Sequence, residues 1–378
     1  MLRFLTAGES HGKGLVGIIE GLPAGVTIDS SKIDFDLYRR QQGYGRGERM
    51  KIEKDRIEIL SGLTEGKTIG APVALWIENK DWENWKNKPR DKKTVPRPGH
   101  ADLAGLLKYG LDDIQSVIER ASARETAMRV AIGSVVKQFL ENFGIEVAGH
   151  VIEIGGVSLS ADNYRKFSIQ EIRKRALESP VFCIEQKASK EMCRKIDEAK
   201  AGKDTVGGIF EIIVSGIPIG LGSYVQWDRR LDTMLAQAVM SIPSVKAVEI
   251  GDGVTNVRKY GSDVHDEIYY SKKEGYYRLT NRAGGIEGGI SNGQDLIVRG
   301  YAKPISTLLD PLNSVDTITK KKVKAPYVRS DICFVPALSV VGEAAVAWVI
   351  AGALMEKFGG DSLSEVKRNF SGCLKTLR

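Results

Sequence analysis

Apolar residues in this chain fall mostly in short runs rich in Val and Ile and bounded by Gly or Pro. Runs at 15–20, 56–60, 72–77, 146–156, 209–215, 246–250 and 295–301 read as β-strands. Three stretches repeat their apolar positions at helical spacing instead. In 122–142, Ala127, Val130, Ala131, Ser134, Val135 and Phe139 recur on one face, and Gly144 stands where the helix should stop. A second helix is predicted over 231–241, ended by Pro243. A third, over 342–358, is apolar on nearly every side, which predicts burial all round, and Gly359-Gly360 close it. The first and third share a Glu near their start (Glu125, Glu343) and a Phe-Gly ending (Phe143-Gly144, Phe358-Gly359). An internal pseudo-duplication would produce this, although shared helix grammar explains it more simply.

No Pro/Ser-rich linker interrupts the pattern, so residues 1–378 are expected to form a single domain. An apolar fraction of 42% fits a folded globular chain. Lys plus Arg exceed Asp plus Glu, 55 to 48, a net charge of +7 that suits an anionic ligand and leaves nucleic acid open. The nucleic-acid reading draws on that charge, on Lys-rich 320–324 and on the Trp-containing polar stretch 79–98. Yet no element interleaves basic and aromatic residues, and no nucleic-acid motif appears. Both stretches read as solvated loops. Cys183, Cys193, Cys333 and Cys373 have no metal spacing and read as free thiols of a reducing compartment. The first residues do not read as a secretory signal, and the longest apolar run, 344–355, is too short to span a bilayer. A cytoplasmic protein without membrane contact is the expectation.

The four histidines separate by context. His11 lies in Gly8-Glu9-Ser10-His11-Gly12, where glycines let the backbone approach a ligand closely. His100 lies in the turn Arg97-Pro98-Gly99-His100. Both sit among charged loop neighbours, as a proton-transfer residue requires. His150 and His265 read as structural or surface residues. Ser10 lacks the nucleophile-elbow pattern, and no His or Cys pair has metal-ligand spacing, so no metal is expected. Arginines are the stronger signal. Arg39 and Arg40 precede a glycine-rich turn that carries Arg46 and Arg49, while Arg120 and Arg124 flank a helix start. Guanidinium forks on glycine-rich turns suit carboxylate and phosphate groups, and a helix start adds to the attraction. The glycine-dense stretch 285–294 is neither a Rossmann fingerprint nor a P-loop.

Taken in order, GESHG with GIIEGLPAGV, RRQQGYGRGERM, LSGLTEGKTIGAPVALWIEN, RPGHADLAGLLKYG, RASARETAMRV, MSIPSVKAVEIGDG, NRAGGIEGGISNGQ, KPIST and RSD resemble the chorismate synthase family over essentially the whole chain. The resemblance implies an α+β fold, a β-α-β sandwich with helices packed between antiparallel sheets, assembled as a homotetramer. It implies anti 1,4-elimination of phosphate from 5-enolpyruvylshikimate 3-phosphate, with reduced FMN required but no net redox change. The lost proton leaves a carbon that is not acidic, and transient electron donation from the flavin answers that difficulty. By the same resemblance His11 protonates the departing phosphate, His100 keeps the flavin protonated and Asp331 relays a proton. Arg39, Arg40, Arg46, Arg49 and Arg124 fall in the substrate set, and Arg40 and Arg46 also match positions for NADPH in members that reduce their own FMN. FMN contacts are implied for Arg120, Ala121, Ser122, Pro243, Ser244, Gly288, Lys303, Pro304, Ile305, Ser306, Thr307 and Arg329. The chain departs from many members at Ser330 and Arg282, where those have His. A phosphoacid enzyme using the same arginines without flavin is the remaining alternative.

Overall fold

The computed structural model describes residues 2–47, 54–87, 91–160, 167–328 and 330–376. Four antiparallel strands make the first sheet: β1 (Arg3–Ala7), β2 (Gly14–Glu20), β3 (Glu58–Ser61) and β4 (Val73–Glu78), in the order β1-β2-β4-β3. The second sheet holds β5 (Glu146–Ile154), β6 (Val157–Ser158), β7 (Gly208–Ser215), β8 (Val245–Ile250) and β9 (Leu296–Ala302), in the order β8-β9-β7-β5-β6, also antiparallel. The helices are α1 (Ser30–Gln41), α2 (Asp102–Tyr109), α3 (Ile114–Ala121), α4 (Thr126–Glu141), α5 (Ile169–Leu177), α6 (Gln186–Ala201), α7 (Leu231–Met240), α8 (Val335–Phe358) and α9 (Leu363–Thr376).

Helices α4 and α8 form the middle layer. α4 packs on β2 and β4, α8 packs on β5 and β7, and the two lie against each other. The crossing is close because both carry small residues there. A Cβ on Gly133 would sit 2.2 Å from that of Ala344, so any larger residue at 133 would push the helices apart. Alternation in the first sheet matches this layering: Leu15 and Ile19 of β2 and Val73, Leu75 and Ile77 of β4 are all buried. Leu338, Val346, Ile350 and Leu354 of α8 have no exposed surface. Burying each contributes about 1.5–3 kcal/mol. The expected β-α-β sandwich is thus the observed arrangement, and one continuous buried cluster runs through both sheets.

Three expectations are corrected. The third helix starts at Val335, not at 342, because Pro336 falls within its first turn, where a missing N–H costs nothing. At 24 residues α8 is long and apolar enough to cross a bilayer, yet 72% of its most apolar window is buried inside the protein; it is a core helix. The stretch 79–98 does not begin as a solvated loop. Asn79 and Asp81 are buried and Lys80–Asn84 form a 3-10 turn, while Arg97 is buried at the other end.

Candidate active site

Two groups of polar side chains collect the candidate residues. The first forms where the turn after β1 meets the end of α3. His11 lies 3.0 Å by Nδ1 from Oε1 of Glu119, and its own backbone N–H donates to Oε2 at 2.7 Å. Ser10, next to it, receives a 3.1 Å hydrogen bond from Ser122, which caps the 3-10 turn Ala123–Glu125. Asn79 ties this turn down, donating to the carbonyls of Glu9 (3.0 Å) and Gly12 (2.9 Å). Its side-chain oxygen accepts from Arg124 Nε at 2.8 Å. Arg124 then grips buried Asp55 through Nη1, at 2.6 and 2.8 Å.

Arg40 joins from the last turn of α1, donating to Thr126 Oγ1 (3.0 Å) and the Ala123 carbonyl (2.9 Å). Among the described residues its Nη1 makes no hydrogen bond, and it lies 3.7 Å from Asp55. Burial pulls Arg40 down to about 9, Asp55 resists, and Arg124 and Arg46 push it further. Arg46 pairs with Asp331 at 3.0 Å, and the Gly47 N–H donates to the same carboxylate at 2.5 Å. Three guanidinium groups thus surround two carboxylates, an arrangement with positive charge to spare for an anion. Arg39, the neighbour of Arg40, is not part of it. Its fork is taken by Glu343 of α8 at 2.7 and 2.6 Å, with Asp36 and Lys137 completing a buried ion cluster.

The second group is built on the turn before α2. Asp102 is fully buried and accepts from the Arg97 backbone, from Nε at 2.8 Å and from Nη2 at 3.0 Å. His100 Nδ1 lies 2.5 Å from the same carboxylate. Burial raises the Asp102 carboxyl, but hydrogen bonds from His100 and Arg97 outweigh it and leave it far below the ordinary range. Residues Lys303, Ser306 and Thr307 clasp this turn. Lys303 Nζ and Ser306 Oγ both donate to the Gly99 carbonyl, at 2.9 and 2.8 Å, and Thr307 Oγ1 lies 3.4 Å from Arg97. The Ile305 carbonyl is fixed by Thr205 at 2.8 Å, with Pro304 leading into the turn. Ser244, held at φ +77° after Pro243, accepts from the Lys303 backbone N–H at 3.0 Å. Half-buried Lys93 interacts electrostatically with Arg97 and Asp102 of this group and with Glu119 of the first.

Arg120 donates to the Thr6 carbonyl at 2.9 Å, with Ala121 ending α3 beside it. Gly288, at φ +59°, turns a small hairpin between Glu287 and Ile290. Arg49 and Arg329 lie outside the described residues. A groove of about 1440 Å³ beside Phe4, Met234 and Trp348 and a cavity of about 550 Å³ beside Arg39 and Lys137 touch neither histidine.

Comparison with known proteins decides the family. The chorismate synthase family model matches residues 2–355. Chorismate synthase of Geobacter sulfurreducens is 53% identical over 394 residues, covering all of both chains, and that of Listeria welshimeri is 52% identical, covering 97% of each. The chain belongs to the chorismate synthase family. A crystal structure of a chorismate synthase matches with a TM-score of 0.83 at 42% identity, covering 100% of this chain and 98% of the other. Membership in the chorismate synthase family makes the protein a carbon–oxygen lyase of the shikimate pathway, which leads to the aromatic amino acids.

Against that background, sequence reading had named the histidines and arginines but not their partners. Glu119, Asp55, Asn79 and Trp85 were missed. Arg97 and Asp102 stood in the quoted RPGHAD turn without a role, Asp102 two residues after His100. Only that spacing offered a signal.

Proposed function

We propose that the two groups carry out the anti 1,4-elimination of phosphate from 5-enolpyruvylshikimate 3-phosphate to give chorismate. The observation that carries this reading is the set Arg40, Arg46 and Arg124 around Asp55 and Asp331, with no hydrogen bond to Arg40 Nη1 among the described residues. A substrate with two carboxylates and a phosphate supplies the missing acceptors. His11, beside that set, protonates the leaving phosphate. Asp331, held by Arg46 and the Gly47 N–H, relays the proton removed from carbon. His100, fixed through Nδ1 by Asp102, holds a proton on the cofactor side.

The donor set at the second group fits FMN. Lys303, Ser306, Thr307 and Ser244 offer an ammonium and hydroxyls suited to a ribityl phosphate, and Arg120, Ala121, Ser122, Pro243, Gly288 and Arg329 complete the candidate set by family resemblance. When bound, reduced FMN supplies transient electron donation, so phosphate loss needs no net redox change. Arg40 and Arg46 would also meet NADPH if the enzyme reduces its own flavin. Family likeness further supports a cytoplasmic homotetramer of single-domain chains, free of membrane and nucleic acid. Exposed Leu5, Ile18 and Leu60 on the first sheet are consistent with burial between copies.

An anaerobic assay with chemically reduced FMN tests the reading. Chorismate and inorganic phosphate should form in equal amounts, and flavin should be unchanged at the end. No phosphate release would overturn it. The same assay with NADPH as sole reductant, with and without an added reductase, separates self-reduction from dependence on a partner.

A further inference from the structure

The polar stretch around residue 80 supplies a face for His11. Its 3-10 turn buries Asp81, whose carboxylate accepts from Asn84 Nδ2 (3.0 Å) and Trp85 Nε1 (3.1 Å). The indole is thereby set against the His11 ring, with centroids 4.2 Å apart and planes tilted by 41°. From α3, Glu119 reaches His11 twice, through the backbone N–H and through Nδ1. The Glu119 carbonyl also accepts from the Ser10 N–H at 3.0 Å, and Gln115, one turn earlier on the helix, donates to the carboxylate. Side chain and backbone of α3 together therefore fix the 8–12 turn.

Burial raises the Glu119 carboxyl, but hydrogen bonds from the His11 side chain and backbone, and from Gln115, outweigh it and hold it at about 2. An ionised carboxylate can only accept. Nδ1 must then be the donor, and the neutral ring carries its hydrogen there. Nε2 is left as the nitrogen that takes up and delivers a proton.

We propose that Glu119 and Trp85 are positioning residues for His11: Glu119 fixes Nδ1–H toward α3, Trp85 fixes the plane of the ring, and Nε2 is the edge presented to the ligand. The consequence for turnover rests on the function proposed above; the geometry does not.

The chain has four histidines, so magic-angle-spinning 15N NMR of histidine-labelled enzyme reads them individually, with His11→Gln giving the assignment. Spectra are taken well above the ordinary imidazole pKa of about 6.5. His11 should show a protonated Nδ1 and a bare Nε2. Glu119→Ala should move the hydrogen to Nε2, whereas Glu119→Gln, which keeps an acceptor oxygen, should leave it on Nδ1. Wild-type enzyme with the hydrogen on Nε2, or an unchanged pattern in Glu119→Ala, would overturn the proposal. For Trp85, kcat should fall about tenfold to a hundredfold in Trp85→Ala, with substrate KM nearly constant, and Trp85→Phe should recover most of it. A loss confined to KM, or no recovery by Phe, would remove Trp85 from the assignment. If the tautomer is as expected but His11→Ala keeps full turnover, the positioning stands and the proton-donor role of His11 fails.

Discussion

His150 and His11 each lie 3.0 Å from a glutamate, in two different parts of the molecule. His150 sits on β5 opposite Glu211 of β7. Arg299 of β9 is next in register, and Glu249 of β8 follows. Arg299 holds Glu211 at 2.7 Å and Glu249 at 3.3 Å, so one row of paired polar side chains crosses four strands. Both His150 and Glu211 are fully buried. At the His11 corner the same pair keeps 16% of the histidine side chain exposed, and the guanidinium groups nearby outnumber their carboxylates. A histidine–carboxylate pair is structural where its charge is balanced and sealed. It is available for chemistry where the ring stays open and the surrounding charge awaits a ligand.

Exchanging the damage between the two places breaks the comparison if it is wrong. His11→Ala and His100→Ala should lose about 10²- to 10⁴-fold in turnover while still binding oxidised FMN and unfolding at nearly the wild-type denaturant midpoint. Near-normal phosphate release from either would end its proton-transfer role. Glu211→Ala removes the buried carboxylate that His150 and Arg299 share, leaving Arg299 to Glu249 and the Gly251 carbonyl. It should lose about 3–5 kcal/mol of stability, read by equilibrium unfolding. A Glu211→Ala protein as stable as wild type would show that the row is not structural.

Arg39 and Arg40 repeat the contrast one residue apart. Arg39→Met should cost about 1.5–3 kcal/mol, because among the described residues Glu343 then keeps only Lys137 and its backbone donor Gly149. Arg40→Met should instead raise substrate KM by about tenfold, equivalent to ~1.4 kcal/mol, with a smaller change in unfolding midpoint. The sequence did not distinguish these neighbours. Both looked like anion ligands because the partner of Arg39 lies 304 residues away on α8. The same limit hid Glu119, which is 108 residues from His11 and looks like any helical glutamate. What was legible depended on short-range chemistry. Val- and Ile-rich runs gave the strands of both sheets except β1 and β6, and α4 and α7 followed from spacing and stop residues. Helices α1, α5 and α6 were missed because their buried faces are narrow: α1 has Ile33 and Leu37, and α6 has Met192 and Ile196, among mostly charged residues. Which arginine was free, and which histidine was sealed, depended on residues brought in by the fold.

Acid offers the gentlest probe of the same difference. Burial raises Glu211, but His150 and Arg299 hold it at about 2, and Glu119 is likewise held at about 2 against an ordinary value of 4.5. A carboxyl lowered on folding contributes stability that is fully present above its unfolded value and is lost as pH falls through the folded one. The window is therefore pH 4.5 down to about 2 for both groups. Unfolding curves should place wild type above Glu211→Gln at neutral pH, with the gap closing through that window. Glu119→Gln should show the same narrowing from a smaller starting gap, since water still reaches its histidine. A gap for Glu211→Gln that stays constant through the window would mean that its charge does not contribute to the fold, and the sealed pair would lose its distinction from the open one.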